Sequence, residues 1–402
     1  MSTTSRRATL MRSFAVLSIV AVVATGCDGS GVLPGAGDDK TAETTAAAAV
    51  QATVHTNIKP GATNVPVDKI LRVAAVDGTL KTVTVRSAAG PLKGKVDPAS
   101  GRWIASDRLE PGVRYRVHAT AANAEGTEAS SDTVFTTRAL SLAQQTYPSV
   151  SPLDGEKVGI GMPVVVTFDL PVTDKAAFEA KMKVTSTPVQ AGSWRWVGDK
   201  EAHWRPRAYW KAGSRVKVNI DINSVSAGGG VYGQEDRDIA FTVGDAHVYK
   251  VNAKTHQMKV VSNGKLLRTI PITTGKAGFI TRSGTKVIME KFATRRMNSE
   301  TVGIPAGSSE AYDLDDVKWA MRLTNSGEFI HAAPWSVGSQ GRDNVSHGCT
   351  GMSTANAAWL YNMTRRGDVV EYVGTNRPME SWNGYGDWNI NWADYAAGSA
   401  LS

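Results

Sequence analysis

The stretch FIHAAPWSVGSQGRDNVSHGCTGMS, residues 329–353, holds His331, His347 and Cys349, the last being one of only two cysteines among 402 residues. A free thiol, with a pKa of about 8.5, is mostly protonated at neutral pH, so a nucleophilic cysteine needs a base or a cationic neighbour. The two histidines are the candidates. His331 closes the strand-like run GEFIH, so a rigid element can aim its ring. Gly348 lets the chain turn sharply at Cys349, after which backbone amides can converge on a developing oxyanion. The link 332–345 reads as a loop over the site. Two other readings use the same residues: a buried structural cysteine between structural histidines, and a zinc site. The second lacks a fourth ligand, and His-x-Cys is an unusual zinc spacing, so no metal is expected. The acidic run QEDRD at 234–238 reads as a solvated turn rather than a metal loop.

The amino terminus explains why Cys349 stands alone. Residues 1–27 carry Arg6, Arg7 and Arg12, no acid, and an apolar run from Phe14 to Ala24, the layout of a secretory signal. It ends in Ala24-Thr25-Gly26-Cys27, which resembles a bacterial lipobox with alanine where leucine is commonest; a plain signal peptide is the alternative. The lipobox reading makes Cys27 a lipidation site, and the Arg6-Arg7 pair leaves the export route, general or twin-arginine, open. Cys349 then has no partner in its own chain although disulfides would be permitted outside the cell. The formal charge of +8 falls to +5 without the three leader arginines, which suits an anionic wall or membrane. No interleaved basic and aromatic stripe marks a nucleic-acid site.

The rest of the chain must position these groups. Residues 28–50 are mostly Gly, Ala, Thr and Asp, a tether with little to bury. Short alternating runs follow, such as TLKTVTVRS with Leu80, Val83 and Val85, and GVRYRVHATA with Val113, Tyr115, Val117 and Ala119. EPGVRYRVHA at 110–119 repeats as KAGSRVKVNI at 211–220, and DTVFTT at 132 repeats as DIAFTV at 238. Trp103 precedes the first copy, and Trp194 or Trp196 the second. Two sandwiches of immunoglobulin-like size follow, 51–139 and 140–245. Their tryptophans, Trp194, Trp196, Trp204 and Trp210, are either packing residues or a glycan-binding surface; spacing the site from the membrane is the favoured role. A third, β-rich region spans 246–375. Asn263-Gly264 marks a hairpin in it, and STANAAWLYNMTRRG marks a helix with Ser353 as N-cap and Gly367 as C-cap. Residues 376–402 hold Trp382, Tyr385, Trp388, Trp392 and Tyr395 and read as an aromatic tail packed on that region, a carbohydrate platform being the alternative.

IHAAPWSVGSQGRDNVSHGCTGMS resembles the signature of the L,D-transpeptidases, a histidine followed after a loop by Ser/Thr-His-Gly-Cys. The preceding immunoglobulin-like modules and the GDWNI tail are similar to the actinobacterial peptidoglycan members. The resemblance implies a mainly β chain: two immunoglobulin-like sandwiches, then a β-rich catalytic domain with one clear helix. It implies Cys349 as nucleophile and His331 as base, oriented by a backbone carbonyl, with His347 and Gly348 shaping the oxyanion side. Ser346 completes the motif, and Met297, Tyr312, Ser326, Gly327 and Trp335 surround the donor stem. Gly351, among the substrate-binding positions, stands where the family often has asparagine, and Val302 where an aromatic residue is common. The implied reaction releases D-alanine from a tetrapeptide stem through a thioester and joins diaminopimelate residues of donor and acceptor stems, without a cofactor. Carbapenem β-lactams would acylate the same thiol. An L,D-carboxypeptidase, a protein-to-peptidoglycan ligase, and an inactive wall-binding or spacer lipoprotein remain the alternatives. The chain would be exported and lipid-anchored on the outer face of the cytoplasmic membrane, facing the wall.

Overall fold

A computed structural model describes residues 50–402; the leader, Cys27 and most of the tether lie outside the described residues. Alternation of apolar and polar side chains builds three cores. In the first sandwich, strands Thr53–Thr56, Arg72–Val76, Trp103–Ala105 and Gly94–Val96 form one sheet, and Gly90–Pro91, Thr79–Ser87, Arg114–Ala122 and Glu128–Thr136 the other. Strict alternation would put Leu80 on the face opposite Val83 and Val85. A bulge between Leu80 and Thr82 restores the phase, and all three pack on the core with Tyr115 and Val117.

The second sandwich repeats this topology except at one edge, where Lys157–Val158 pairs with Arg237–Val243 while Gly90–Pro91 of the first sandwich pairs with Thr79–Ser87. Pro148–Ser151, Val164–Phe168, Glu201–Pro206 and Gly192–Val197 form one sheet; Lys157–Val158, Arg237–Val243, Arg215–Ile220 and Met182–Thr187 form the other. Gly112 and Gly213 both sit at positive φ, 68° and 78°, at the turns that open the repeated strands. The counterpart of Trp103 is Trp204, rather than Trp194 or Trp196. Trp103 pairs with Val73 and Trp204 with Val164, and each ring lies flat over a glycine, Gly94 or Gly192, where a Cβ would come within 2.3 or 2.1 Å of ring carbon Cζ2. Trp194, Trp204 and Trp210 are buried, and the partly buried Trp196 stacks on Phe168, so all four pack on the core.

In the third region, one sheet runs in the order Lys265–Pro271, Gln257–Ser262, His247–Asn252, Val369–Val373, Gly284–Val287, and the other in the order Glu290–Asn298, Asp313–Arg322, Phe329–Ala332, Thr350–Met352. Asn263 and Gly264 take φ of 49° and 80° in the tight hairpin turn. The helix Thr354–Met363 is capped by Ser353, whose hydroxyl accepts from Asn356 N–H, and buries Ala357 and Leu360. It stops at Thr364 instead of Gly367, because the Thr364 hydroxyl and N–H both return to Leu360 O. Gly367 serves the seam with the second sandwich: Gly159 N–H donates to Arg366 O and Gly161 N–H to Gly367 O, each at 2.8 Å. A Cβ on Gly159 would lie 2.2 Å from Asp368 N, so this backbone approach needs glycine. Val369 belongs to the second sandwich's core, which makes that sandwich and the third region one packed body.

The tail packs on both. Its first half holds the third region through Met379 N–H to Ser283 O and Asn389 Oδ1 accepting from Thr285 N–H. Its second half crosses to the second sandwich, where the Arg205 guanidinium sits 4.1 Å from the Tyr395 ring centre, 4.6 Å from Trp388 and 5.3 Å from Trp392. The Trp382 side chain is left 65% exposed. The tail therefore packs on the second sandwich as well as on the third region, where the sequence suggests docking on the third region alone.

Candidate active site

Parallel pairing of Phe329–Ala332 with Thr350–Met352 sets His331 opposite Gly351. Cys349 immediately precedes that strand and opens into the same cavity as His331. Gly351 supplies no side chain between them. A Cβ there would come within 2.9 Å of Ala333 Cβ and 3.0 Å of Thr273 Cγ2, so this backbone leaves no room for a larger residue without movement.

His331 and Cys349 line one cavity of about 420 Å³ with Met297, Tyr312, Trp335, Ser346, His347 and Gly351. The long hairpin Glu290–Asn298/Asp313–Arg322 supplies Met297, Tyr312 and Leu314 as its cover, and the turn at 299–312 forms a flap. Ser326 and Gly327 lie elsewhere: they line a smaller cavity of about 170 Å³, which shares Tyr312 and His347 with the larger one. Val302 of the flap seals against Gly327, where a Cβ would come within 2.4 Å of its Cγ1. The long loop 332–345 borders the larger cavity through Ala333, Trp335, Ser336 and Val345, and Trp335 is stacked at 5.9 Å beside the His331 ring.

Buried to 6% exposure, His331 donates Nδ1–H to the backbone carbonyl of Ala332 at 2.8 Å. A carbonyl can only accept, so the proton is fixed on Nδ1 and Nε2 keeps its lone pair. Burial disfavours the imidazolium and lowers the ring's pKa, outweighing the carbonyl contact. The Cys349 thiol is half-buried, and its S–H points to Gly327 O at 3.7 Å. Burial pushes its pKa up to about 11, opposed by the Phe329 N–H and by the Lys286 charge and reinforced by Glu328. Both shifts run against a resting ion pair and favour the neutral thiol beside the neutral imidazole. Such a pair suits general-base catalysis, in which the proton leaves sulfur as the sulfur attacks.

The turn bearing the thiol is tied on both sides. Gly348, at φ 120°, gives its carbonyl to the Thr281 hydroxyl at 2.7 Å and its N–H to Ser346 Oγ at 3.1 Å, and the Ser346 hydroxyl donates to Cys349 O. Gly348's own amide is thereby occupied. The Cys349 N–H has no partner among the described residues, and it is the donor this turn can offer to an oxyanion.

Behind the thiol lies a buried charge cluster that residue types alone did not reveal. Glu328 accepts from Lys286 Nζ and, at 3.1 Å, from Arg282 Nη1; Lys286 is fully buried and lies 3.8 Å from the centre of the Tyr372 ring. Arg282 continues to Glu380 of the tail, and Asn383 Oδ1 of the tail accepts from Ser326 N–H at 2.9 Å. The loop carrying Gly327 is therefore pinned from the tail. No group of three or more His, Cys, Asp or Glu that could hold a metal occurs among the described residues.

Residues 246–371 match the family described as L,D-transpeptidase catalytic domain, and residues 62–226 match a bacterial Ig domain in one stretch that crosses both sandwiches. The chain is 37% identical over 346 residues to L,D-transpeptidase 2 of Mycobacterium tuberculosis, covering 86% of this chain and 84% of that protein. It is 39% identical to L,D-transpeptidase 1 of the same species over 226 residues, 56% of this chain and 84% of that one. A solved structure of the L,D-transpeptidase LdtMt1 in complex with imipenem is similar at 40% identity and a TM-score of 0.50, covering 56% of this chain and 97% of that chain.

Proposed function

This chain belongs to the L,D-transpeptidase family, and from that premise we propose that it cross-links peptidoglycan stems by two acyl transfers on Cys349. The observation that carries the proposal is the pairing of the His331 strand with the strand that Cys349 immediately precedes, with both side chains lining one cavity. His331 Nε2 takes the thiol proton as sulfur attacks the carbonyl joining the L-centre of diaminopimelate to D-alanine. The Cys349 N–H holds the oxyanion, and the imidazolium returns the proton to the departing amine of D-alanine. The remaining thioester is opened by the side-chain amine of a second stem's diaminopimelate, which gives its proton to His331 as the new amide forms; the C–S bond breaks and the imidazolium returns that proton to the departing Cys349 sulfur. No step needs a cofactor. The cover of Met297, Tyr312 and Leu314 favours an amine acceptor by keeping bulk water from the thioester.

Mass spectrometry of the products formed from a disaccharide-tetrapeptide tests this reading. Cross-linked dimer with free D-alanine is expected; tripeptide alone would make the chain an L,D-carboxypeptidase, and no turnover would leave a wall-binding spacer. Carbapenems are expected to add their mass once, on Cys349. The leader supports export and lipidation at Cys27, with the sandwiches holding the site toward the wall; the tight seam at Gly159, Gly161 and Gly367 supports their acting as a stiff extension. Labelling with a fatty acid that is lost in Cys27→Ser, with release of the protein from the membrane, tests the anchor.

A further inference from the structure

At His347, which lines both cavities, two further side chains outside the reaction converge, Lys276 and Glu310. Glu310, on the flap, places Oε2 2.6 Å from Lys276 Nζ and 2.7 Å from His347 Nε2. The two nitrogen donors belong to the floor of the site rather than to the flap. Lys276 follows the strand Lys265–Pro271, and its backbone N–H donates to Ser346 O at 2.9 Å; His347 is two residues before the nucleophile. Phe279 meets the His347 ring edge-on at 4.6 Å, a contact that does not depend on Glu310, and Tyr312 of the flap lies tilted at 5.1 Å. The floor thus aims two donors at a single oxygen, and the flap supplies the carboxylate.

We propose that Lys276 and His347 form a carboxylate subsite, that Glu310 fills it while no substrate is bound, and that the carboxylate of the stem's terminal D-alanine displaces Glu310 when the donor binds. The proposal rests on Cys349 being the nucleophile, because D-alanine then lies beside this turn. Its carboxylate is one residue, about 3.8 Å of chain, from the scissile bond, and His347 borders the larger cavity with the sulfur. Exchange of one carboxylate for another preserves the charge balance there and releases the flap's tie. Lys276 first and His347 second hold the Glu310 carboxyl below its ordinary range, so the internal competitor is charged whenever the enzyme works. The carboxylates of an acceptor stem are a second source of the same chemistry.

Binding to the full chain carrying Cys349→Ala, measured by calorimetry, separates the sources without turnover. The ligands are a tetrapeptide stem with a free D-alanine carboxylate, the same stem ending in D-alaninamide, and the tripeptide stem. Glu310→Gln, close to isosteric, is expected to tighten the free-carboxylate stem about tenfold by removing a competitor that fills the site about nine-tenths of the time, and to change the other two less than about twofold. Lys276→Met is expected to abolish the preference for the carboxylate over the amide. Equal weakening of all three ligands by Glu310→Gln would make Glu310 a flap support, and equal tightening of the tripeptide would assign the subsite to the acceptor; either overturns the proposal. Whether the unsubstituted chain releases D-alanine is a separate measurement, so a failure of the nucleophile reading is told apart from a failure of this one.

Discussion

His203 and His331 are buried to the same extent, 6% exposed each, yet their surroundings give them opposite chemistry. His203 sits at the seam of the second sandwich and the tail, with Asp387 Oδ1 at 2.8 Å from Nδ1 and Glu201 Oε1 at 2.8 Å from Nε2. Burial opposes its charge, but the two carboxylates outweigh burial and raise its pKa to about 10. His331 has a backbone carbonyl where His203 has carboxylates, and burial wins. One ring is favoured as a cation and bridges two elements. The other is a neutral base with a fixed tautomer. In a protein interior the partner, rather than the depth, decides which role an imidazole takes.

Substitutions at the two sites should separate chemistry from stability. Cys349→Ala is expected to lower transpeptidation by about 10⁴-fold or more, and His331→Ala by about 10²- to 10⁴-fold, both read as initial rates of D-alanine release. His203→Ala should destabilise the chain by about 3 kcal/mol in denaturant titration, because it strands the buried Asp387 carboxylate while Glu201, 37% exposed, turns to solvent, and it should change the acylation rate of the folded protein less than about twofold. A loss of rate at His203 comparable to that at His331 would break the comparison.

The pH responses have opposite senses. The folded pKa of His203 lies above its unfolded value, so its contribution to stability is complete below about pH 6.5 and is lost as pH rises through about 10. The rate should instead fall on the acid side as His331 takes a proton, at a pH below the ordinary histidine range, and hold level through neutrality until the thiol titrates. Gly351→Ala should have the smallest effect, a loss of rate of a few fold, because the added methyl must displace Ala333 or Thr273 by a few tenths of an ångström.

What could be read from residue order was local. The Asn263-Gly264 turn, the Ser353 cap, the duplicated strands and the grouping of His331, His347 and Cys349 all follow from neighbours in sequence or from a repeat. What escaped depends on distant residues meeting. Glu328 precedes Phe329 in plain view, but its partners Lys286 and Arg282 arrive from another strand, and Glu310 reaches the floor only through the flap's path. Trp204 takes Trp103's place because pairing register, not order of appearance, defines equivalence. Ser326 and Gly327 fell into a separate cavity because their loop passes behind the thiol, where the tail's Asn383 holds it.

The most direct test of the neutral thiol and imidazole is the titration of Cys349 by its thiolate absorbance, with the Cys349→Ser chain as blank. No thiolate is expected at neutral pH, with a midpoint near 11 that His331→Ala leaves in place. A thiolate already formed at about pH 7 and abolished by His331→Ala would show a resting ion pair and contradict general-base attack from a neutral pair.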